Sequence, residues 1–276
     1  MPHTRKDRPR RLGLCLLAAG VLAAAAPGPA HAQEYSLFDR FSFALEGSWA
    51  NLDTRIRLDS KQLEVGTEIH FENQGGLVDN TVVPSLAFDW RIGRRHRLGG
   101  WWLDVDRDNT TQILTEIRFG DVVFPIDEEV TFSFGQEELG LAYTYFLTLK
   151  ERLAFGVGGG LRTLKVDAGL AARDLEISEE GDFTGPLPFV WVEVRYGLAR
   201  KLRLVSNLGL FYIEIGDYTG SQLVLDAYFE HLTFKNLSFG GGLRGGQVDV
   251  DVNTSDYAGA VKIGIVSLRV FARVRF

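Results

Sequence analysis

Cysteine, methionine and histidine are scarce in this chain, and long apolar runs are missing outside residues 12–26. Cys15 is the single cysteine, Met1 is the single methionine, and five residues are histidine. With one cysteine, no internal disulfide framework can form. A transmembrane helix needs about 20 consecutive apolar residues, and no segment after residue 32 provides them. If the chain crosses a bilayer, it must therefore do so as a closed barrel of strands.

The first 32 residues carry the three parts of a secretory signal peptide. A basic stretch at residues 5–11 is followed by the apolar run 12–26 and by the triplet Ala30-His31-Ala32. We predict a signal peptide over residues 1–32 and one domain over residues 33–276. A membrane anchor is disfavoured because the run has about 15 residues rather than about 20. A lipoprotein is disfavoured because Cys15 lies inside the run and not at its end.

Acidic residues outnumber basic ones, and the formal net charge is −6. Removing the basic leader makes the remaining chain more acidic still. This charge argues against nucleic acid as a partner. An acidic, exported chain that keeps no cysteine fits the periplasm or the outer membrane of a Gram-negative bacterium.

Apolar residues alternate with polar or small residues from one end of the domain to the other. Side chains two apart share one face of a strand, so each segment has an apolar face and a polar or small face. The segments begin near Phe41, Leu86, Leu139, Leu153, Val190, Leu202, Leu223 and Leu268. This pattern predicts an all-β fold, a transmembrane antiparallel up-and-down β-barrel of about ten strands, within a range of about 8–12.

The connections between these segments differ in length and charge. Four are tight and basic, at residues 93–96, 149–152, 198–201 and 234–236. The others are longer, at residues 52–80, 105–137, 167–184, 215–221 and 250–259, and the second and third are strongly acidic. Outer-membrane barrels have short periplasmic turns and longer extracellular loops. We therefore expect both termini and the basic turns in the periplasm, with a possible extra hairpin at residues 111–124.

The last ten residues alternate strictly and end on an aromatic side chain. Phe276, Val274, Val270 and Leu268 share the apolar face of this segment. The ending resembles the terminal strand that the barrel-assembly machinery recognises, which implies that this machinery is a partner. Outer-membrane lipids and lipopolysaccharide are the further partners expected of such a chain.

Five short stretches carry a more specific resemblance. They are Gly66-Thr67-Glu68-Ile69, Arg94-Arg95-His96-Arg97-Leu98, Phe119-Gly120-Asp121, Leu141-Ala142-Tyr143-Thr144-Tyr145-Phe146 and the closing Phe276. With them the whole exported chain resembles a family of small proteobacterial outer-membrane barrel proteins that has no assigned activity. The resemblance implies a location and a fold, and it implies neither a reaction nor a cofactor.

The inward face predicted by the alternation is rich in charge. It carries Glu46, Asp89, Glu193, Asp226 and Glu230 together with Arg91, Arg162, Arg195, Arg203, Arg244, Arg269 and Arg273. Buried charges persist only when they are paired and hydrogen-bonded, so the set predicts an ion-pair network that fills the lumen. We expect Glu193 to lie between Arg195 and Arg203. The alternative is a water-filled passive channel, in which the excess of arginine favours anions.

Neither a convincing catalytic constellation nor a cofactor motif is present, and we expect a non-enzymatic protein. His96 and His231 fall near the periplasmic end. His70 lies in an extracellular loop between Glu68 and Glu72, and a same-face Glu-His-Glu could bind a metal or act as a general base in a lipid-modifying enzyme. Simple polar residues on a loop strand are the favoured interpretation.

The acidic loops also have two interpretations. They could form a solvated, repulsive outer surface, which we favour. They could instead capture divalent cations among carboxylates such as Asp127, Glu128 and Glu129 and so bridge to lipopolysaccharide phosphates. None of these runs has the spacing of a calcium-binding loop.

Overall fold

The computed structural model describes residues 37–59, 66–253 and 258–276, so the predicted signal peptide at 1–32 lies outside the described residues. Thirteen strands lie in these ranges: β1 (Phe41–Leu58), β2 (Ile69–His70), β3 (Asn80–Ile92), β4 (His96–Gln112), β5 (Ile117–Phe119), β6 (Val122–Phe124), β7 (Glu129–Leu149), β8 (Leu153–Ala172), β9 (Ile177–Ala199), β10 (Leu202–Ile215), β11 (Tyr218–His231), β12 (Leu237–Asn253) and β13 (Ala258–Arg275). No helix in these ranges is long and apolar enough to span a bilayer.

Ten of the strands form one closed ring. Their order is β1-β3-β4-β7-β8-β9-β10-β11-β12-β13, and β13 pairs back onto β1. Every pair in the ring is antiparallel, and each strand follows its neighbour along the chain. The ring closes with backbone hydrogen bonds from Phe276 N to Phe41 O (2.8 Å) and from Arg40 N to Phe276 O (3.1 Å). The prediction of an up-and-down antiparallel barrel of about ten strands is confirmed.

The tight connections lie at the end of the barrel that holds both described termini. They span residues 93–95, 150–152, 200–201 and 232–236. The opposite end differs from the expectation, because much of the predicted loop sequence is strand. The predicted loop at residues 167–184 is reduced to a turn at 173–176, and the predicted loop at 215–221 is reduced to Gly216 and Asp217. The predicted hairpin at 111–124 forms as β5 and β6, a separate two-stranded sheet that adds no strand to the ring.

The outer surface of the ring has two zones. Toward the tight turns it carries an apolar belt, with exposed residues that include Leu45, Trp49, Leu141, Val190, Leu210, Leu225, Leu243 and Val266. Beyond the belt the outward positions are polar, with exposed acids that include Asp53, Asp106, Asp108, Glu137, Asp182, Glu214 and Asp251. The belt matches the hydrocarbon region of a bilayer. On β1, the nine residues that follow Trp49, up to Leu58, extend the wall roughly 20–30 Å beyond it, at about 3.3 Å per residue.

The inner surface has the opposite arrangement. Beyond the belt it is a cluster of buried apolar side chains, which includes Phe71, Phe119, Phe124, Phe132 and Phe134. Two segments that connect ring strands, 69–77 and 113–126, fold into the barrel and supply part of this core. We call this cluster the apolar core. It fills the distal half of the lumen.

At two places in the ring, neighbouring strands stop pairing beyond the belt, on the side away from the tight turns. The β3–β4 ladder stops at Ser85↔Leu103, although β4 continues to Gln112. Segment 71–79 lies over this separation, with Asn109 Nδ2 donating to Gly75 O (2.9 Å). The β9–β10 ladder stops at Val190↔Leu210, and residues 177–189 of β9 remain paired with β8.

The residues of the predicted assembly signal take two environments. Phe276, Val270 and Leu268 are exposed on the outer surface. Val274 is on the same strand face but is buried, because its register places it between Phe43 and Leu237 of the two neighbouring strands.

Replacing Phe276 with Ser should lower the amount of folded, heat-modifiable protein in the outer membrane. The substitution leaves the backbone hydrogen bonds of the seam in place, so any loss of folded protein reports on the terminal aromatic ring alone. Phe239→Ser is the matched control, because Phe239 is an exposed aromatic residue near the same end of β12. Equal abundance of the two variants would show that the terminal position has no special role.

A peptide tag inserted at Asp174, in the turn at 173–176, should be labelled by antibody on intact cells. A tag at Lys201, in the opposite turn, should be labelled only after the cells are broken. Labelling of the Lys201 tag on unbroken cells would show that the tight turns face the exterior and that the barrel has the opposite orientation.

Candidate functional site in the barrel lumen

The half of the lumen near the tight turns is occupied by paired charges, which we call the ionic layer. At its centre Glu230 is fully buried and accepts hydrogen bonds from Arg203 Nε (3.0 Å), Arg273 Nη1 (2.9 Å) and Ser238 Oγ (2.5 Å). Arg203 also contacts Asp39 (2.5 Å), which in turn pairs with Arg275 (3.0 Å). Register explains the first contact, because Arg203 and Glu230 are directly opposed on β10 and β11.

Glu193 is the second fully buried carboxylate of the ionic layer. It is held between Arg97 Nη1 (2.5 Å) and Arg195 Nε (2.5 Å). Arg97 also binds Asp89. The expectation that Arg203 encloses Glu193 is therefore wrong, because Arg203 faces Glu230 and a β-bulge at Leu202/Arg203 shifts the β9–β10 register.

A third group of charges lies farther from the turns. Arg269 bridges Glu46 (3.3 Å) and Asp226 (3.2 Å), and Arg244 lies 3.7 Å from the same Asp226. The Arg269 guanidinium also lies over the ring of Tyr228, 4.3 Å from its centroid. Nearby, Arg162 donates to Glu138 (2.6 Å).

Eleven of the twelve residues predicted for the network thus make ion pairs with one another or with neighbouring charges. Arg91 differs, because it lies at the mouth of the barrel, donates to Arg94 O (2.8 Å) and covers the ring of Phe38. The pairs also include residues outside the predicted set: Asp39, Arg97, Glu138 and Arg275. Alternation could have identified Arg97 and Glu138, which share the inward face with Gly99 and Gly140. Asp39 precedes β1 and carried no such signal.

The three histidines among the described residues lie outside the ionic layer. His96 Nδ1 contacts the hydroxyl of Tyr143 (2.6 Å), and His231 Nδ1 contacts Thr233 (3.0 Å), both near the tight turns. His70 Nε2 lies 3.0 Å from Asp53 Oδ1 beyond the belt.

The same-face Glu68-His70-Glu72 arrangement does not form. β2 ends at His70, and the chain then turns, with Gln74 N donating to His70 O (2.8 Å). Glu72 consequently points inward and accepts hydrogen bonds from Arg107 Nη1 (2.7 Å) and Thr54 N (2.7 Å). Within the described ranges the cluster with metal-ligand spacing is Asp53, His70 and Glu72. The Arg107 guanidinium already compensates Glu72, which weakens it as a metal ligand.

The geometry of the ring agrees with solved membrane barrels. The outer membrane protease OmpT from Escherichia coli superposes with a TM-score of 0.52 at 10% identity, covering 90% of this chain and 99% of that chain. This chain has the fold of an outer-membrane β-barrel. Two further similar structures are the translocator domain of the autotransporter NalP from Neisseria meningitidis (TM-score 0.47, 12% identity, 95% and 96% covered) and Ail of Yersinia pestis (TM-score 0.38, 10% identity, 86% and 99% covered).

No protein-family model and no curated protein matches the sequence. The resemblance to one family of small outer-membrane barrels therefore stays a prediction. At these identities the structural likeness shows the fold and carries no activity.

Replacing Glu193 with Gln should lower the free energy of unfolding in detergent by about 3–5 kcal/mol, because buried Arg195 loses its carboxylate partner and buried Arg97 keeps only Asp89. The control is Asp167→Asn, which breaks a half-exposed pair with Lys165 (3.3 Å). Exposed pairs contribute about 0–1 kcal/mol, so the control should be nearly neutral. Denaturant titration followed by tryptophan fluorescence measures both. A neutral Glu193→Gln would indicate that water reaches the ionic layer.

Proposed function

We propose that the protein is an integral outer-membrane barrel of a Gram-negative bacterium with a closed lumen and no catalytic role. It serves the envelope through the rigid wall that it raises above the membrane. The observation that carries this proposal is the filling of the lumen at two successive levels. The ionic layer fills the half near the tight turns, and the apolar core fills the distal half.

The ionic layer argues against a passive anion channel. Such a channel needs hydrated cationic groups along a continuous water path. Here Arg203, Arg269 and Arg273 are almost completely buried, and each is paired with a carboxylate. Guanidiniums held in this way leave little positive potential for a passing anion.

The wall beyond the belt presents carboxylates to the surroundings. Asp106, Asp108, Glu137 and Asp182 are exposed there, at the level where lipopolysaccharide head groups lie. Bare carboxylates and phosphates repel, so close association with lipopolysaccharide requires shared divalent cations. Asp127 and Glu129 are also exposed, Glu128 is partly exposed, and all three could contribute to such bridges.

The refolded protein should show no conductance steps in planar bilayers in which a general porin conducts. A double Arg203→Ala, Glu230→Ala variant removes one pair of the ionic layer and should also remain closed, because the apolar core is untouched. Steady anion-selective conductance by the parent protein would contradict the closed lumen and would support the passive anion channel. Conductance by the double variant alone would show that the ionic layer is the sole barrier.

A hydrolytic role at the outer surface is the second candidate, and the His70–Asp53 contact is the observation that favours it. A histidine oriented by a carboxylate can act as a general base. Mass spectrometry of lipid A after overexpression distinguishes the two candidates. A new lipid A species that disappears with His70→Ala would establish the enzyme.

A further inference from the structure

A cavity of about 160 Å³ lies in the lumen between the ionic layer and the apolar core. One wall is aromatic, because the ring of Phe189 contacts those of Trp101 and Trp191, with centroids 5.8 and 5.9 Å apart. The opposite wall is aliphatic and includes Leu52, Val83, Leu103, Ile263 and Ile265. The cavity therefore offers a predominantly apolar surface to any occupant.

A smaller space of about 90 Å³ adjoins the cavity on the side of the ionic layer and shares Trp101, Trp191, Asn207, Asp226 and Arg244 with it. Several buried polar atoms of cavity-lining residues have no hydrogen-bond partner within the described residues: Arg162 Nε and Nη2, Asn207 Oδ1, Gln222 Oε1, Asp226 Oδ1 and Arg244 Nε. Arg162 is 5% exposed. A buried group of this kind is costly unless a polar atom meets it.

The barrel wall is unpaired beside this cavity. The β9–β10 ladder ends at Val190↔Leu210. Phe189, the first inward residue of β9 beyond the ladder, lines the cavity, and so does Gly209, which still pairs with Trp191. Pro186 and Pro188 follow on β9, where each lacks the N–H that a ladder would need. Gly197 N donates to Arg152 O on the β8 side, and N–H direction alternates along a strand. The missing donors of Pro186 and Pro188 therefore fall on the side of β10.

The separation lies at the distal edge of the apolar belt. Val190 and Leu210 are exposed and apolar, and Tyr212 and Glu214 follow outward on β10. Toward the exterior the cavity is capped by the apolar core, in which Phe71 and Phe132 are fully buried. Toward the periplasm it is capped by the ionic layer. At the side of the barrel, at the level of the outer leaflet, β9 and β10 are not paired with each other beyond Val190↔Leu210.

We propose that the cavity binds a small uncharged aromatic amphiphile, which passes between β9 and β10 from the outer leaflet. The apolar ring lies against Trp101, Phe189 and Trp191. The polar substituent points toward the ionic layer and meets the free N–H groups of Arg162 and the free side-chain oxygen of Asn207.

Size and charge define the ligand class. A cavity of about 160 Å³ accommodates roughly one aromatic ring. The lining charges balance, because Arg162 pairs with Glu138 and Arg244 pairs with Asp226. A charged ligand would leave an extra buried charge without a partner, so an uncharged hydroxyl or amide is favoured.

This inference goes beyond the closed-barrel proposal, and the two fail in different ways. Conductance by the parent protein would refute the closed lumen. Absence of a saturable aromatic site in a non-conducting barrel would refute only the ligand.

The test uses 19F NMR of 4-fluorophenol with the full barrel in nanodiscs, and empty nanodiscs correct for partition into lipid. We expect saturable binding, and about tenfold weaker binding of fluorobenzene, which lacks the hydrogen-bonding group. The anionic 4-fluorobenzoate should also bind more weakly than 4-fluorophenol. Absence of saturable binding of 4-fluorophenol, or equal affinity for all three probes, would overturn the proposal.

Gly209→Leu is the variant that fills the cavity. A Cβ at Gly209 would have its nearest neighbours at 3.9 Å, so the backbone can accept the side chain. The matched control is Gly245→Leu, where a Cβ would be 4.0 Å from its nearest neighbour and faces outward. Gly209→Leu should lose binding while the control retains it, with both variants equally heat-modifiable. Unchanged binding in Gly209→Leu would place the ligand elsewhere.

A double Pro186→Val, Pro188→Val variant tests the route. It restores two N–H donors that allow the β9–β10 ladder to extend, so exchange of bound 4-fluorophenol should become several-fold slower at similar affinity. An unchanged exchange rate would overturn the side route.

Discussion

Backbone pairing is the constraint on which the rest of this structure depends. A bilayer offers no hydrogen-bond partners, so every N–H and C=O at that depth must be paired within the protein. Ten antiparallel strands meet this requirement by closing a ring, and the seam is formed by the first and last strands, where Phe276 N donates to Phe41 O. A ring of about ten strands is narrow, so its inward side chains must fill the lumen or enclose only small spaces.

The lumen is filled by two different chemistries, each matched to its surroundings. Beside the belt the outer face is apolar, and the inner face holds polar and charged groups such as Glu230, Arg203 and Arg273. Beyond the belt the outer face meets water, and the inner face is apolar apart from the buried Glu72–Arg107 pair. The buried ion pairs add little net stability compared with apolar packing, but each becomes costly when one partner is removed. Their consequence is a specific arrangement of strands, since a shifted register would leave charges unpaired.

Alternation in the sequence was sufficient to predict the ring, the inward face and the position of the tight turns. It failed at two points, for physical reasons. The polarity of the pattern inverts at the belt edge, as on β8, where inward Arg162 is followed by inward Leu164 and Val166. Charged outward residues such as Asp167 therefore suggested loops where the strands continue. Ion pairs across the lumen could not be predicted either, because their members, such as Glu193 on β9 and Arg97 on β4, are not on adjacent strands. Their contact depends on strand tilt and stagger, which periodicity does not encode.

The same constraint explains where the ring can separate. Both separations, above Ser85 on β3 and above Val190 on β9, begin near the distal edge of the belt, where water and head groups can satisfy free backbone groups. Both also begin beside proline: Pro84 on β3, and Pro186 and Pro188 on β9. The first separation is covered by segment 71–79, whose Gly75 carbonyl accepts a hydrogen bond from Asn109. On β9 the prolines themselves remove the donors that would otherwise be unpaired. A barrel closed along its axis can thus leave one part of its wall unpaired, because Pro186 and Pro188 place no N–H donors in the gap and because the gap lies where water and head groups can satisfy the other backbone groups.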